Sequence, residues 1–300
     1  MIDRQHLRII AQIDKQGTLT GAAQALHLTQ SALSHAIKRL ESHFDTPLWK
    51  KDGRKLRLTQ AGLAVLSLAE RVLPQFDYTE NQLREIAAGN RGTLRIGMEC
   101  HPCYQWLLKV VEPFLRNFPD VDVDVRQEFK FGGLHALHGF EIDLLLTPDP
   151  LFLDTITYLP VFSYEQVLVM PASHPLADQT FLQPQQLSTE TLISYPVEPS
   201  RLDIFNQFLT PAGCGVRQHK VIETTEIMLQ MVSAGRGVAA LPHWLALEYA
   251  RPLGLATCRL GEHGIQKSLH IGYRKAEQPD GFFNAFIDMA KAVGQDYAPD

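Results

Sequence analysis

Residues 17–44, GTLTGAAQALHLTQSALSHAIKRLESHF, read as two short helices joined by a tight turn. Thr20 is placed to cap the first, whose Ala22, Ala23 and Leu26 let another helix come close. His27-Leu28 makes the turn, and Thr29 offers its hydroxyl to the orphan N–H groups of the second helix. Leu33, Ile37, Leu40 and Phe44 then recur at four-, three- and four-residue steps, which predicts one buried stripe. Gln30, Ser34 and Lys38 fall on another face, with Ser31 and His35 beside them. Short hydrogen-bonding side chains at the start of that face suit base edges, and Lys38 and Arg39 suit phosphates. A helix-turn-helix enters the DNA major groove in this way, although an amphipathic hairpin with a solvated polar face shares the periodicity.

The next segment separates these readings. Residues 48–62, LWKKDGRKLRLTQAG, place Lys50, Lys51, Arg54, Lys55 and Arg57 around an Asp-Gly turn. That is a hairpin signal, and a basic hairpin here reads as a wing along the DNA backbone. Charge is segregated as well. Residues 1–58 hold ten basic and five acidic side chains, net +5, while the whole chain is −5. A basic first fifth on an acidic body is an electrostatic footprint for nucleic acid.

At Gly17-Thr18-Leu19-Thr20, Ala22-Ala23, Leu26, Leu28-Thr29-Gln30, Ser34, Ile37, Leu40-Glu41, Pro47-Leu48, Arg54, Leu58-Thr59 and Ala61-Gly62 the chain resembles the LysR-type transcriptional regulators. It departs from them at Ser31, where many carry proline, and at Trp49, where phenylalanine is usual. The resemblance implies an α/β chain with a winged helix-turn-helix over 1–58, a linker and dimerisation helix over 59–90, and an effector-binding domain over 91–300. It also implies two Rossmann-like subdomains in a periplasmic-binding-protein arrangement. Subdomain I covers about 91–162 and 268–300, and subdomain II about 163–267. DNA contacts are then expected from Thr20, Thr29, Gln30, Ser31, Ser34, His35, Lys38, Arg39, Lys51 and Arg54.

The pattern beyond the wing agrees. Leu66, Ala69, Leu73, Phe76, Leu83 and Ala87 step by three and four through 59–88, with Glu80 interrupting and Pro74 expected to kink the helix. That spacing resembles a coiled-coil seam, though it also fits packing within one chain. Strands at 94–98, 121–129 and 142–146 alternate with helices at 103–117 and 133–138. A strand near 268–273 precedes a helix over 281–293. Alternation of this kind predicts largely parallel, covered sheets.

Small ligands in such folds sit beyond strand C-termini, near helix N-termini. Glu99-Cys100-His101-Pro102-Cys103 is such a junction. Its Cys-x-x-Cys unit admits a redox pair, a metal site with His101, a polar ligand loop, or two thiols without chemistry. Segments 99–107, 194–203 and 229–244 are similar to the homocysteine-responsive LysR-type regulators of methionine biosynthesis. Homocysteine is the implied co-regulator. The effector residues expected on that basis are Glu99, Cys100, His101, Cys103, Thr147, Phe162, Ser200, Arg201, Thr224 and His243. Arg201 is matched to the carboxylate, Glu99 or Asp149 to the ammonium, and Phe162 or Trp106 to the sulfur arm.

Other classes find no support in the residues. Four cysteines do not make a disulfide scaffold, no apolar run reaches membrane length, and the N-terminus lacks a signal pattern. There is no catalytic constellation, and Gly235 and Gly237 read as a helix end rather than a dinucleotide loop. The expectation is a cytoplasmic regulator and not an enzyme, without cofactor or metal. Its partners would be double-stranded DNA, a small effector, RNA polymerase and copies of itself, as a homodimer or homotetramer.

Overall fold

In a computed structural model of the chain, residues 1–52, 55–87, 92–127, 132–277 and 281–297 are described. The chain divides into two compact units, Met1–Asn90 with Gly139–Glu141, and Arg91–His138 with Ile142–Asp300.

In the first unit, α1 (Arg4–Gln16) begins at Asp3, whose carboxylate accepts from the His6 N–H at 2.9 Å. α2 (Leu19–Ala25) is capped by Thr18, whose Oγ1 accepts from the Gly21 N–H at 3.1 Å. Thr20 is therefore not the cap; the helix starts earlier, and Thr20 lies exposed in its first turn. The turn runs through His27, at φ 54°, and closes with Leu28 N–H donating to Ala23 O at 2.9 Å. α3 (Gln30–Phe44) is capped by Thr29, which accepts from the Ala32 N–H at 3.1 Å. Ile9, Ile10 and Ile13 of α1 pack with Ala22, Ala23, Leu33, Ile37 and Leu40 to form the core. Each large aliphatic chain buried there stabilises by about 1.5–3 kcal/mol. Phe44 departs from its expected place in the stripe: it is 51% exposed. α3 ends there, with Asp45 at φ 47°, and the Phe44 ring meets His43 edge-on.

β1 (Trp49–Asp52) and β2 (Lys55–Leu58) form an antiparallel hairpin with Lys50 opposite Arg57. Gly53 and Arg54 lie outside the described residues. α4 (Gln60–Ala87) starts with Thr59 Oγ1 accepting from the Gly62 N–H at 3.1 Å. A Cβ at Gly62 would collide with the Leu48 carbonyl, so only glycine fits between helix and hairpin. α4 runs unbroken through Pro74. Ala69 is fully buried and Leu66 and Leu73 are half-buried against the three-helix core, so the first part of the supposed seam packs within the chain. Glu80 interrupts the stripe because it pairs with Arg4, which also reaches Asp77 at 2.7 Å. Phe76 and Leu83 remain exposed.

The second unit opens with β3 (Gly92–Met98), α5 (Cys103–Asn117), β4 (Val121–Arg126), α6 (Gly133–His138) and β5 (Leu144–Thr147). β6 (Ile156–Pro171), β7 (Phe181–Leu182), β8 (Thr191–Ser194) and β9 (Gln218–Val221) follow, then α7 (Thr225–Ser233), β10 (Val238–Pro242), α8 (His243–Leu253), β11 (Leu255–Leu260), β12 (Ile265–Arg274) and α9 (Gly281–Gln295). The strand order is β4-β3-β5-β12-β6-β10-β8-β9, with β11 beside β6 and β7. β3 runs parallel to β4 and β5, and β8 parallel to β9 and β10, as the alternation predicts. The middle differs from a largely parallel sheet: β12 is antiparallel to β5 and β6, and β6 to β10 and β11. β6 and β12 are long enough to serve both halves, and they enter each from the other. Ser163 Oγ and Ser268 Oγ lie 2.8 Å apart where these strands pair between the halves. α5 and α9 cover the first half through Trp106, Phe114, Phe286 and Ile287. α7 and α8 cover the second through Met228, Leu229 and Ala246.

Candidate DNA-reading face and effector cleft

On α3 the buried stripe fixes what remains outside. Gln30, Ser31, His35, Lys38 and Arg39 are exposed, and Ser34 is half-buried. Thr29 holds the first turn of this face, and Thr20 Oγ1 lies 3.5 Å from Gln30 Oε1, tying the first turn of α2 to the start of α3. The polar face thus begins with short side chains able to donate and accept, and continues into cations, the order that base edges and then phosphates require. Lys50 and Arg57 are exposed on the hairpin. The expected contacts Lys51 and Arg54 fall outside the residues whose side chains are described.

In the second unit a cleft opens where parallel strands end. β3 delivers Glu99, Cys100, His101 and Pro102; β5 delivers Pro148 and Asp149; β8 delivers Ser194 and Tyr195; β10 delivers Pro242. Arg201, Leu202, Asp203 and Ile204 close one side, and Tyr164 and Gln166 of β6 form the wall. The space between these walls, open solvent at the mouth included, is about 760 Å³. Such a crevice beyond strand C-termini is where open α/β sheets bind small ligands.

Charge in the cleft is mixed. Glu99 accepts from the Gly133 N–H at 3.0 Å. Lys267 pairs with Asp149 and, at 3.3 Å, with Asp203, joining β12 to both sides. Burial works to lower the Lys267 pKa, but its bonds to Asp149 and Asp203 outweigh that and hold it above the ordinary lysine value. His101 stacks on Tyr195, ring centres 4.9 Å apart, so the loop after β3 touches the strand end of the opposite half. The Tyr195 hydroxyl meets Thr225 Oγ1 at 2.7 Å, and burial pushes its phenol far above the usual range. Ser194 Oγ lies 2.7 Å from His219 Nε2. Gln166 Oε1 is buried without a hydrogen-bond partner, an acceptor that a ligand donor can satisfy.

Cys100 and Cys103 are joined in a disulfide at the start of α5. Among the described residues no three His, Cys, Asp or Glu side chains group to hold a metal ion. Of the expected effector residues, Glu99, Cys100, His101 and Arg201 line the cleft together. Thr147 is buried at the end of β5, where its Oγ1 accepts from the Asp149 N–H at 3.1 Å. Phe162 and Trp106 lie in the core between α5 and β6, their ring centres 5.7 Å apart. Ser200, Thr224 and His243 are exposed and do not line the cleft.

Residues 87–295 match the LysR substrate binding domain, and residues 4–63 match the bacterial regulatory helix-turn-helix protein of the lysR family. The chain belongs to the LysR family. It is a DNA-binding transcriptional regulator, as the family is, and not an enzyme. The HTH-type transcriptional regulator MetR of Escherichia coli K12 is 38% identical over 299 residues, covering 100% of this chain and 93% of that protein. The solved regulatory domain of MetR from N. meningitidis is 28% identical, with TM-score 0.64, over 69% of this chain and 96% of that one. Full-length CbnR in complex with its target DNA shares the fold at 19% identity and TM-score 0.63, over 97% of this chain and 100% of that one. In this LysR regulator the cleft is also lined by Tyr164, Gln166, Ser194, Tyr195 and Asp203, with Lys267 paired to Asp203, none of which a sequence motif singles out. Three of them lie within reach of the sequence: SYPVEPSRLD contains Ser194, Tyr195 and Asp203, and a turn after a strand in an α/β pattern is where lining residues gather.

Proposed function

We propose that this regulator controls genes of methionine biosynthesis with homocysteine as its small-molecule effector. The observation that carries this reading is the mixed charge of the cleft, in a chain similar along its whole length to MetR proteins. An α-amino acid needs a cation for its carboxylate and anions for its ammonium. Arg201 provides a planar fork for the first. Glu99 and Asp149, with the unpartnered Gln166 Oε1, provide acceptors for the second. Cys100, Pro102 and Tyr164 give the sulfur arm a polarisable, half-apolar wall. On DNA the α3 face reads bases in paired half-sites, the hairpin follows the backbone, and copies of the chain associate as a dimer or tetramer through α4. The assembly acts in the cytoplasm and presents itself to RNA polymerase. Ligand binding shifts the population between arrangements by favouring one of them.

The test is a thermal-stability titration in reducing buffer with L-homocysteine, L-methionine and L-homoserine. Homocysteine alone is expected to stabilise, by about 2.7 kcal/mol at a hundredfold excess over Kd. Equal shifts with all three, or none, would reject homocysteine as the effector.

A further inference from the structure

We propose that the Cys100–Cys103 disulfide is a covalent acceptor for the thiol of the ligand in the cleft, with Cys100 Sγ as the atom attacked. This rests on the reading that the cleft takes a thiol-bearing amino acid.

Three observations converge. First, the two cysteines differ in access. Both pack in the core with Trp106, but Cys100, 6% exposed, lines the cleft, whereas Cys103, 1% exposed, does not. A thiol entering the cleft therefore meets one sulfur of the pair. Second, the buried partner is placed to leave. Cys103 is the first residue of the fifteen-residue α5, and Pro102, in the N-cap position, makes no side-chain cap bond. Orphan N–H groups and the positive end of the helix stabilise a thiolate there, and a stabilised thiolate is the better leaving group. Third, the bond does little for stability. It closes a ring across two intervening residues, so it restricts little of the unfolded chain. Disulfides in reducing compartments are typically reactive ones.

The exchange balances without an outside oxidant. The ligand thiol gives its proton to water and attacks Cys100 Sγ as a thiolate. A new bond forms between the ligand sulfur and Cys100 as the Cys100–Cys103 bond breaks, and Cys103 leaves with the electron pair. A second ligand thiolate can then remove the first as a symmetrical disulfide, leaving both cysteines reduced. His101 sits between the two cysteines and stacks on Tyr195 of the opposite half, so opening the bond frees the loop that touches both sides of the cleft.

Oxidised full-length protein is treated anaerobically with L-homocysteine, with L-methionine, or with 2-mercaptoethanol. It is then quenched in acid and mapped by non-reducing mass spectrometry. Homocysteine should add one molecule at Cys100 about tenfold faster than 2-mercaptoethanol, because the cleft holds the reacting atoms together. Methionine should add nothing. Cys103→Ser, which cannot expel the adduct, should accumulate it at Cys100 when given homocystine. Cys100→Ser should leave Cys103 unmodified. Addition at Cys103, or homocysteine no faster than 2-mercaptoethanol, overturns the proposal. If homocysteine still protects the fully reduced native protein against heat in that case, the covalent step alone is wrong. If it does not, the effector reading has failed with it.

Discussion

Lys267 gathers more of the cleft's charge than any other side chain described. It holds Asp149 and Asp203 from opposite sides, and its own side chain is only 11% exposed. Lys267→Met should cost about 2 kcal/mol in urea unfolding, below the roughly 3–5 kcal/mol of a fully buried pair because Asp149 is half exposed. Lys267→Arg should recover most of it. His219 gives the unit a pH dependence. Burial lowers its pKa below the ordinary 6.5, so the folded state resists protonation that the unfolded chain accepts. Its contribution is present above about 6.5 and is lost as pH falls through the lowered folded value. Acid unfolding followed by circular dichroism should show this loss, and His219→Gln should flatten the curve. These roles were invisible in the sequence for a physical reason. Lys267, Asp149 and Asp203 lie far apart in the chain and meet only through strand pairing, whereas Glu99–Cys103 announces itself as one contiguous turn.

At the scale of elements, α3 is where local chemistry and function coincide. Thr29→Ala removes the cap and should destabilise the first unit by about 1 kcal/mol, read by hydrogen exchange along α3. Ser34→Ala or His35→Ala should narrow the gap between operator and random DNA. Lys50→Ala should instead weaken both equally and lower the salt slope by about 1. Equal losses on both DNAs for the α3 variants would refute that division. Helices were the most legible elements. α5 and α6 occupy the residues that periodicity predicts, 103–117 and 133–138. Periodicity does not say what a stripe packs against, however. That is why the spacing of Leu66, Ala69 and Leu73 fits an intermolecular seam and packing within one chain alike, and only the fold shows that they face the unit's own core. The sequence does not separate Thr18 from Thr20 as the cap of α2, because both offer the same hydroxyl and only the backbone path decides between them.

For the whole molecule, the exposed part of α4 is the place where association can be tested. Leu83 is 61% exposed and follows Phe76 by one heptad. Leu83→Asp should shift sedimentation toward a smaller species at micromolar concentration, and an unchanged profile would place the dimer contact elsewhere. Architecture also sets an order of construction. The first unit is complete once α4 has been made, apart from a short stretch at Gly139–Glu141. The second half of the chain is different, because β12 threads between β5 and β6, and α9 seals the core that α5 began. A ribosome therefore exposes a DNA-reading head able to fold early. The sensing unit stays open until Gly281–Gln295 emerges. A nascent chain arrested before that helix would be able to grip DNA while deaf to the metabolite, so the cell gains from finishing every copy it starts.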